Sequence, residues 1–546
     1  MKECTTMWYT VKEGKLMLKY KCDGKFETVE APFKPYFFVP KTKRRVAVYH
    51  MRRMKIFPEV EDTDLKTIDT EETVSKISVN VPKFVRDARD VLTIKDINSY
   101  EADIPYDRRV RIDLDWKTAS NYKVAFFDIE CWDAGRDYLR GYDQDQVICI
   151  AIVDDNGHEQ VLYNKDECEL LREFNKTAKQ YDMLVGYNSD LFDVPRLKER
   201  EKLYRLRFPT KHVRWFDIMW MIRGTSQREL ASWSLDYVTQ TLLGEKILVH
   251  HDKRVHTLED ELIMERCLYD ALALKMLNDE FQYVETAIQI AHKSYIFPDE
   301  ICEAKEGFVG EKKGLKISRA IDALLLKRAR ELGYVLPNKP SEAKGERHSG
   351  AFVAQPPEAF VLYRYVLVMD FTSLYPNIIL AFKVSPDKDG VLYPSLIESL
   401  LKERVKYKKL AKETGDKRYN ILQNALKVLI NAFYGVMNNP WFRIQRVDLG
   451  DYIATKGREI ITTVIEELTK RGYKVIYADT DSVFLTFPRM LTEKQIMRNE
   501  AKINRIVQEL FGEHFQLEAD KLFSVLYFPK RASDETASKK KYAGYK

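Results

Sequence analysis

The stretch VAFFDIE, residues 124–130, decides how the middle of this chain is built. Four residues led by apolar side chains run into an alternating acidic end, which reads as a buried β-strand, and CIAIV at 149–153 reads as another. Asp166 to Ala178 follows with a helical pattern, so from Tyr122 onward the texture is strand, loop and helix, that of an α/β domain. Asp128 and Glu130 are two apart, which puts both carboxylates on one face of the sheet. Acids held together repel unless protons or cations intervene, and a pair of divalent metals is the usual resolution at a strand end. Taken alone, the pair reads more simply as a strand end entering a solvated loop.

Further along, GYNSDLFD at 186–193 places Asn188 and Asp193 at the start of an expected helix, and RCLYDALALKML at 266–277 puts Asp270 in a helical pattern. Acids in this order are far more specific than an isolated DxE. Ahead of this region, the first hundred or so residues alternate apolar and aromatic runs with Gly, Lys and Asp turns, as in Leu16–Tyr20 and Pro35–Val39, and predict small β-rich structure. Behind it, Ile317–Leu332 is helical and 333–350 is a connector rich in Pro, Lys, Gly and Ser. A third region follows, with a strand at Tyr365–Asp370, helices over Ile397–Thr414 and Tyr419–Tyr434, and a hairpin over Lys474–Phe487.

Composition bounds these readings. A chain of 546 residues must fold as several cores, and 45% apolar with 32% charged residues excludes a disordered polymer. The net charge of +6, from 89 basic and 83 acidic residues, allows a polyanionic partner without demonstrating one. Basic stretches at Lys41–Arg45, Lys402–Lys409 and Lys539–Lys541 suit phosphates, and equally suit a solvated face. The seven cysteines form no CxxC unit, so neither zinc nor a disulfide framework is expected. With no signal-like start and no apolar run near the roughly 18 residues of a membrane span, a cytosolic protein is expected.

A second carboxylate set lies in the third region. VMDFTSLYPNII at 368–379 puts Asp370 at the end of an apolar strand with Tyr375 just beyond it, and Pro376 is expected to block helix continuation. YADTDSVF at 477–484 places Asp479 and Asp481 at a hairpin tip, where a DxD is ordinarily a solvated turn, here flanked by apolar strands. In LQNALKVLINAFYG, residues 422–435, Lys427, Asn431 and Tyr434 share one helix face. Arg404 and Lys408 repeat the i, i+4 spacing, which costs a few tenths of a kcal/mol unless an anion lies between them. A triphosphate suits both faces, and so does an exposed helix.

DIE, then NxxxFD, then a helical Asp followed by Ala resemble the three exonuclease motifs of DNA polymerases with RNase H-like proofreading domains. DxxSLYP, KxxxNxxYG and DTDS, in this order, are similar to the palm and fingers motifs of family B DNA polymerases, and the overall pattern is of the archaeal, replicative type. The resemblance implies a DNA-directed DNA polymerase with a 3′→5′ proofreading exonuclease. It implies two Mg2+ ions per active site, with Mn2+ as substitute. In the exonuclease site Asp128, Glu130, Asp193 and Asp270 would be ligands, with Asn188 and Phe192 on DNA. Where the family's third motif carries a Tyr four residues before its Asp, this chain has Arg266, and Tyr269 lies on a different helix face. Metal binding is expected to survive that exchange, which bears on the efficiency of hydrolysis.

In the polymerase site the resemblance implies Asp370, the Phe371 carbonyl and Asp481 as metal ligands, with Asp479 in support. Ser373, Leu374 and Tyr375 would bind the nucleotide, Tyr375 as a steric gate against a 2′-hydroxyl. Arg404, Lys408 and Lys427 would take the triphosphate, Lys427 also protonating the leaving group, with Asn431 close by and Tyr434 and Gly435 bordering the nascent base pair. FKPYFFV at 33–39, YEADIPYDRR at 100–109 and WSLDYVTQTLLGEK at 233–246 resemble other parts of the family. HSGAFV at 348–353 matches the segment linking the two activities, with Gly350 on DNA, and with His348 and Ala351 in place of the usual Tyr and Gly. KKKY, Lys539, Lys540, Lys541 and Tyr542, looks like the motif that grips duplex DNA. Tyr9, Pro35 and Tyr36 align with parts of a template-uracil pocket, although aromatics in a small β domain are usually core.

The expected fold class is α+β and multidomain. A β-rich N-terminal domain spans 1–120, with part of 301–345 packing back on it, and the RNase H-like α/β exonuclease domain spans 121–300. A right-hand palm is expected at 346–395 and 439–546, with helical fingers at 396–438. The sequence ends four residues after Tyr542, where the family continues into a thumb, so the expectation is a separate thumb-bearing small subunit or a truncation. Expected partners are primer–template DNA, dNTPs, that subunit and a sliding clamp, with no membrane. The competing class is a catalytically silent polymerase-like DNA-binding or assembly module, which loss of motif acids would favour.

Overall fold

Val124–Cys131 (β1) has apolar residues buried on both faces, which only a strand covered by helices on each side tolerates. The computed structural model describes residues 2–132, 144–209, 211–225, 230–244, 255–302, 315–342, 361–530 and 541–546. These form two units, 1–65 with 72–331 and 403–429, and 66–71 with 332–402 and 430–546.

In the first unit, β1 is the middle strand of five. Val147–Asp154 (β2), Glu159–Tyr163 (β3), Met183–Gly186 (β4) and Arg214–Asp217 (β5) complete the sheet in the order β3-β2-β1-β4-β5. The β3, β2 and β1 strands pair antiparallel, and β4 lies parallel to both β1 and β5. One face is filled by Ala125, Phe127 and Ile129 against Leu170, Leu171 and Phe174 of the helix Glu167–Ala178. That helix is capped by Asp166, whose carboxylate accepts the Cys168 and Glu169 amides. The helix Asp193–Leu203 (α1) follows β4, and Asp260–Phe281 (α2) covers the opposite face.

The N-terminal region is β-rich as expected. Antiparallel strands at Thr6–Lys12, Lys15–Cys22 and Lys25–Glu30 form one sheet, and Tyr36–Pro40, Glu59–Thr67 and Thr73–Ser78 belong to another. Three helices join them that the strand-oriented reading did not place: Arg44–Arg53, Pro82–Ile94 and Tyr106–Asp113. The second carries its own signal, since Pro82 starts it and Val85, Ala88 and Leu92 form a buried stripe at helical spacing. The helix Ile317–Glu331 packs against Tyr106–Asp113, and its Arg330 joins Arg109 on the buried carboxylate of Glu101.

In the second unit, Tyr363–Phe371 (β6) is the central strand of an antiparallel sheet. The helices Leu374–Ala381 (α3), Leu392–Thr414 (α4), Lys417–Met437 (α5) and Val447–Lys470 (α6) follow it in sequence, α4 and α5 each having residues in both units. Then come Lys474–Asp479 (β7), Ser482–Thr486 (β8), Leu517–Tyr527 (β9) and Ala543–Tyr545 (β10), giving the order β7-β8-β6-β9-β10. Val366, Val368, Tyr477, Phe484, Phe523 and Phe528 make its core. Pro376 does not block a helix here. It sits in the first turn of α3, where a missing N–H loses no intrahelical bond. No described helix is long and apolar enough to cross a membrane.

Candidate active sites

The face of β1 that carries Asp128 and Glu130 is the one α2 covers. Their cross-strand neighbours are Ala151 and Cys149, and these pack with Cys267 and Ala271 of the helix. Small side chains at all these positions let α2 come close to the sheet, and the Cys267 Sγ donates to the Asp128 carbonyl at 3.4 Å. Asp270 is thereby brought to the strand, and carboxylate oxygens of Asp128, Glu130 and Asp270 lie within 4.8 Å of one another. That span is about twice a metal–oxygen bond of roughly 2.1–2.4 Å, so an all-oxygen divalent ion fits between them.

Asp193 stands outside that closest set but bears on it electrically. It opens α1, is nearly fully buried, and has its carboxyl pushed up to about 7 by burial, with its own amide and Arg196 opposing and Glu130 and Asp270 adding. Burial likewise pushes Asp128 well above the usual carboxylate range, the charges of Asp270, Asp193 and Glu130 adding to it and Arg266 opposing. Acids so crowded call for compensating positive charge. Within the described residues one contact supplying it is Arg266, one turn before Asp270 on α2, whose Nε lies 2.8 Å from Glu130 Oε1.

Asn188 does not begin the helix, contrary to expectation. It lies in the preceding loop with φ 53°, and α1 starts at Asp193 with Phe192 as its cap residue. Asn tolerates this left-handed conformation, and the loop is held from β5 by a residue the sequence reading missed. Asp217 is fully buried and accepts the amides of Asn188 at 2.9 Å, Asp190 at 3.3 Å and Met219 at 3.1 Å. Its strand-end position in RWFDIMW was its only signal. A Cβ on Gly186 would sit 2.5 Å from Ser189, so the loop also needs glycine there. Phe192 is half-buried under the Arg196 guanidinium, 3.7 Å from its ring.

The acids of the second unit are gathered by strand register. Asp370 on β6 pairs with Ser482 on β8, and Asp479 pairs with the same Ser482 across the β7–β8 turn. The Phe371 amide donates to the Asp481 carbonyl at 2.8 Å, and Thr480 takes φ 53° to close the turn. All three acids are half-buried. Directly across β9 from Asp370 stands Glu518, a carboxylate the sequence reading passed over. Among the described residues these acids do not form a set as close as that around Asp128.

Beyond β6, Ser373 adopts φ 55° and starts α3, which directs Leu374 inward and leaves Tyr375 half-buried. The Tyr375 ring meets Tyr434 with centroids 4.5 Å apart, and a Cβ on Gly457 of α6 would lie 2.9 Å from its Cε1. Burial, reinforced by Tyr434 and Asp481 and opposed by Arg458, pushes its hydroxyl up to about 12. On α5, Lys427 and Asn431 are exposed while Leu426, Leu429, Ile430 and Phe433 are buried, so the polar face faces solvent in this structure. Lys408 is exposed and Arg404 half-buried on α4. Lys541 is exposed, whereas Tyr542 packs against Phe484, Phe523 and Phe528. Gly350, Lys539 and Lys540 lie outside the described residues.

Tyr9, Pro35 and Tyr36 are brought together in the N-terminal region. They line one cavity of about 400 Å³ with residues of the helix Pro82–Ile94 and of the segment Ala102–Arg109. The Tyr36 ring has Arg109 at 4.6 Å and Lys76 at 4.9 Å, and its hydroxyl donates to Asp113.

Comparison with known proteins agrees with this architecture. Residues 316–389 and 382–546 match the model of DNA polymerase family B, and residues 125–250 match that of the RNase H superfamily. A DNA polymerase of Archaeoglobus fulgidus is 25% identical, over 97% of this chain and 74% of the relative. One from Thermococcus gorgonarius is 26% identical, over 88% and 70%. The solved family B DNA polymerase of the hyperthermophilic archaeon Pyrobaculum calidifontis superposes with a TM-score of 0.78 at 22% identity, covering 99% of this chain and 79% of that one.

Proposed function

From the premise that this chain is a homologue of family B DNA polymerases with an RNase H-like exonuclease domain and a polymerase domain, we propose that it extends a DNA primer with dNTPs and excises mispaired 3′ ends. The observation that carries the polymerase reading is the β6–β8 register, which seats Asp370 beside the Asp479–Asp481 turn. Asp370, Asp481 and the Phe371 carbonyl would hold divalent metal there, with Asp479 and Glu518 beside them. When bound, such ions lower the pKa of the primer 3′-hydroxyl and neutralise the leaving pyrophosphate.

The chain's own residues do the rest. Tyr375, wedged between Tyr434 and Gly457, forms a rigid floor under the sugar and rejects a 2′-hydroxyl. Arg404, Lys408 and Lys427 bind the triphosphate, and Asn431 stands on the same face of α5 as Lys427. In the exonuclease site Asp128, Glu130, Asp193 and Asp270 would hold the metal, and Asn188 and Phe192 would meet the primer end. The cavity around Tyr36 suits a planar base held by aromatic walls and cationic neighbours, in line with template-uracil recognition. A sliding clamp is a further proposed protein partner.

The test is extension of a labelled primer on a DNA template with Mg2+ and dNTPs, alone and with Asp481→Ala. Extension that the substitution abolishes supports the reading. No extension by either, with DNA still bound, gives priority to a silent polymerase-like module.

A further inference from the structure

We propose that Arg266 is a built-in cation of the exonuclease site, holding Glu130 while metal is absent and yielding it when metal loads. The inference rests on the exonuclease reading above and concerns how much metal that site requires.

Four carboxylates meet here from three elements: Asp128 and Glu130 on β1, Asp193 on α1, and Asp270 on α2. Two arginines face them, Arg196 from α1 and Arg266 from α2. Arg196 is nearly fully buried, stacked on Phe192 and donating to its carbonyl at 3.2 Å, so it is fixed beside Asp193. Arg266 differs on both counts. Its Nε contacts Glu130 directly at 2.8 Å, and its side chain is 34% exposed against 8% for Glu130. The guanidinium thus has a route to solvent that the carboxylate lacks.

An oxygen of Glu130 engaged by a guanidinium is a poorer ligand for a second cation. A divalent ion that takes Glu130 must therefore compete with a unit positive charge already in place, and that charge also lowers the free energy of the empty, crowded site. A neutral side chain at 266 would take that charge from Glu130, with Arg196 still beside Asp193, and raise the site's demand for metal. Arg266 is accordingly a positioning residue that stabilises the empty site and raises the metal concentration at which it fills.

The test is Mn2+ titration of the whole chain without DNA, in the Asp481→Asn background, reading free Mn2+ by its electron paramagnetic resonance signal. Arg266→Gln and Arg266→Tyr are expected to bind about tenfold more tightly than the parent. Arg266→Lys keeps the charge and is expected to stay near the parent, which separates charge from shape. Adding Glu130→Gln is expected to shrink the effect of Arg266→Gln, because the contact it removes is then already weakened. Unchanged or weaker Mn2+ binding in Arg266→Gln, with Asp128→Asn abolishing binding, overturns the inference and leaves the site reading intact. If Asp128→Asn retains the same Mn2+, the metal-site reading and this inference fall together. Thermal melting checks that each variant is folded.

Discussion

Between residues 124 and 281 the carboxylates come from a strand and two helices and are pressed together under a helix whose Cys267 and Ala271 allow close approach. Between residues 363 and 527 they come from neighbouring strands and one turn, half-buried, and are fixed by main-chain register. The first set is assembled by tertiary packing, and burial, with the neighbouring acids adding, raises the carboxyls of Asp128 and Asp193. The second is assembled by local β-structure, with Asp370, Asp479 and Asp481 only half-buried. Metal should therefore be part of the stability of the first site and chiefly part of the chemistry of the second.

The largest effect expected is separation of the two proposed activities. Asp481→Ala should lower primer extension on the order of 10³-fold and leave 3′ degradation, while Asp128→Ala does the reverse. Primer extension and dNTP-free degradation, run side by side, check this, and loss of both activities in either variant would break the comparison. Next, adding Mg2+ to DNA-free protein should raise the melting temperature, by about 2.7 kcal/mol of linkage at a hundredfold excess over Kd. That rise should vanish in Asp128→Asn and persist in Asp370→Asn. Equal loss in both would mean that the acids of the second set are as preassembled as those of the first.

Gly457→Ala sharpens the comparison on the side of the second set. Its Cβ would press on Tyr375 at 2.9 Å and displace the ring, so discrimination against ribonucleotides should fall about tenfold. The ratio of dNTP to NTP incorporation measures it. A further effect concerns Asp217, which burial, with Asp190 adding, pushes up to about 8 against three donated amides. A folded carboxyl raised above its unfolded value of about 3.9 keeps a proton that the unfolded chain releases, so its contribution to stability falls as pH rises from roughly 4 to 8. Asp217→Asn should flatten that slope in melting measured across this range.

Much of this was legible from spacing. The β1 strand, the helix bearing Asp270, β6 and the β7–β8 hairpin all follow from periods of two and 3.6 with their turn residues, and they carry every motif acid except Asp193, which opens α1. What spacing misread were local exceptions. Pro376 reads as a helix breaker although a first-turn proline loses nothing, and Asn188 reads as helical although φ 53° puts it in the loop. The helix Pro82–Ile94 had a readable stripe, hidden by the surrounding strand texture.

Sequence by itself determined which residues are chemically capable and on which kind of element each sits, because those follow from side-chain type and from neighbours a few residues away. Only the tertiary structure decided which of them meet. The 2.8 Å contact of Arg266 with Glu130 joins residues far apart in the chain, as does the support of the Asn188 loop by Asp217. Glu518 opposite Asp370 and the cavity shared by Tyr9, Pro35 and Tyr36 are of the same kind. Such pairings are fixed by sheet order and by the closeness of helix packing, and no local periodicity encodes either.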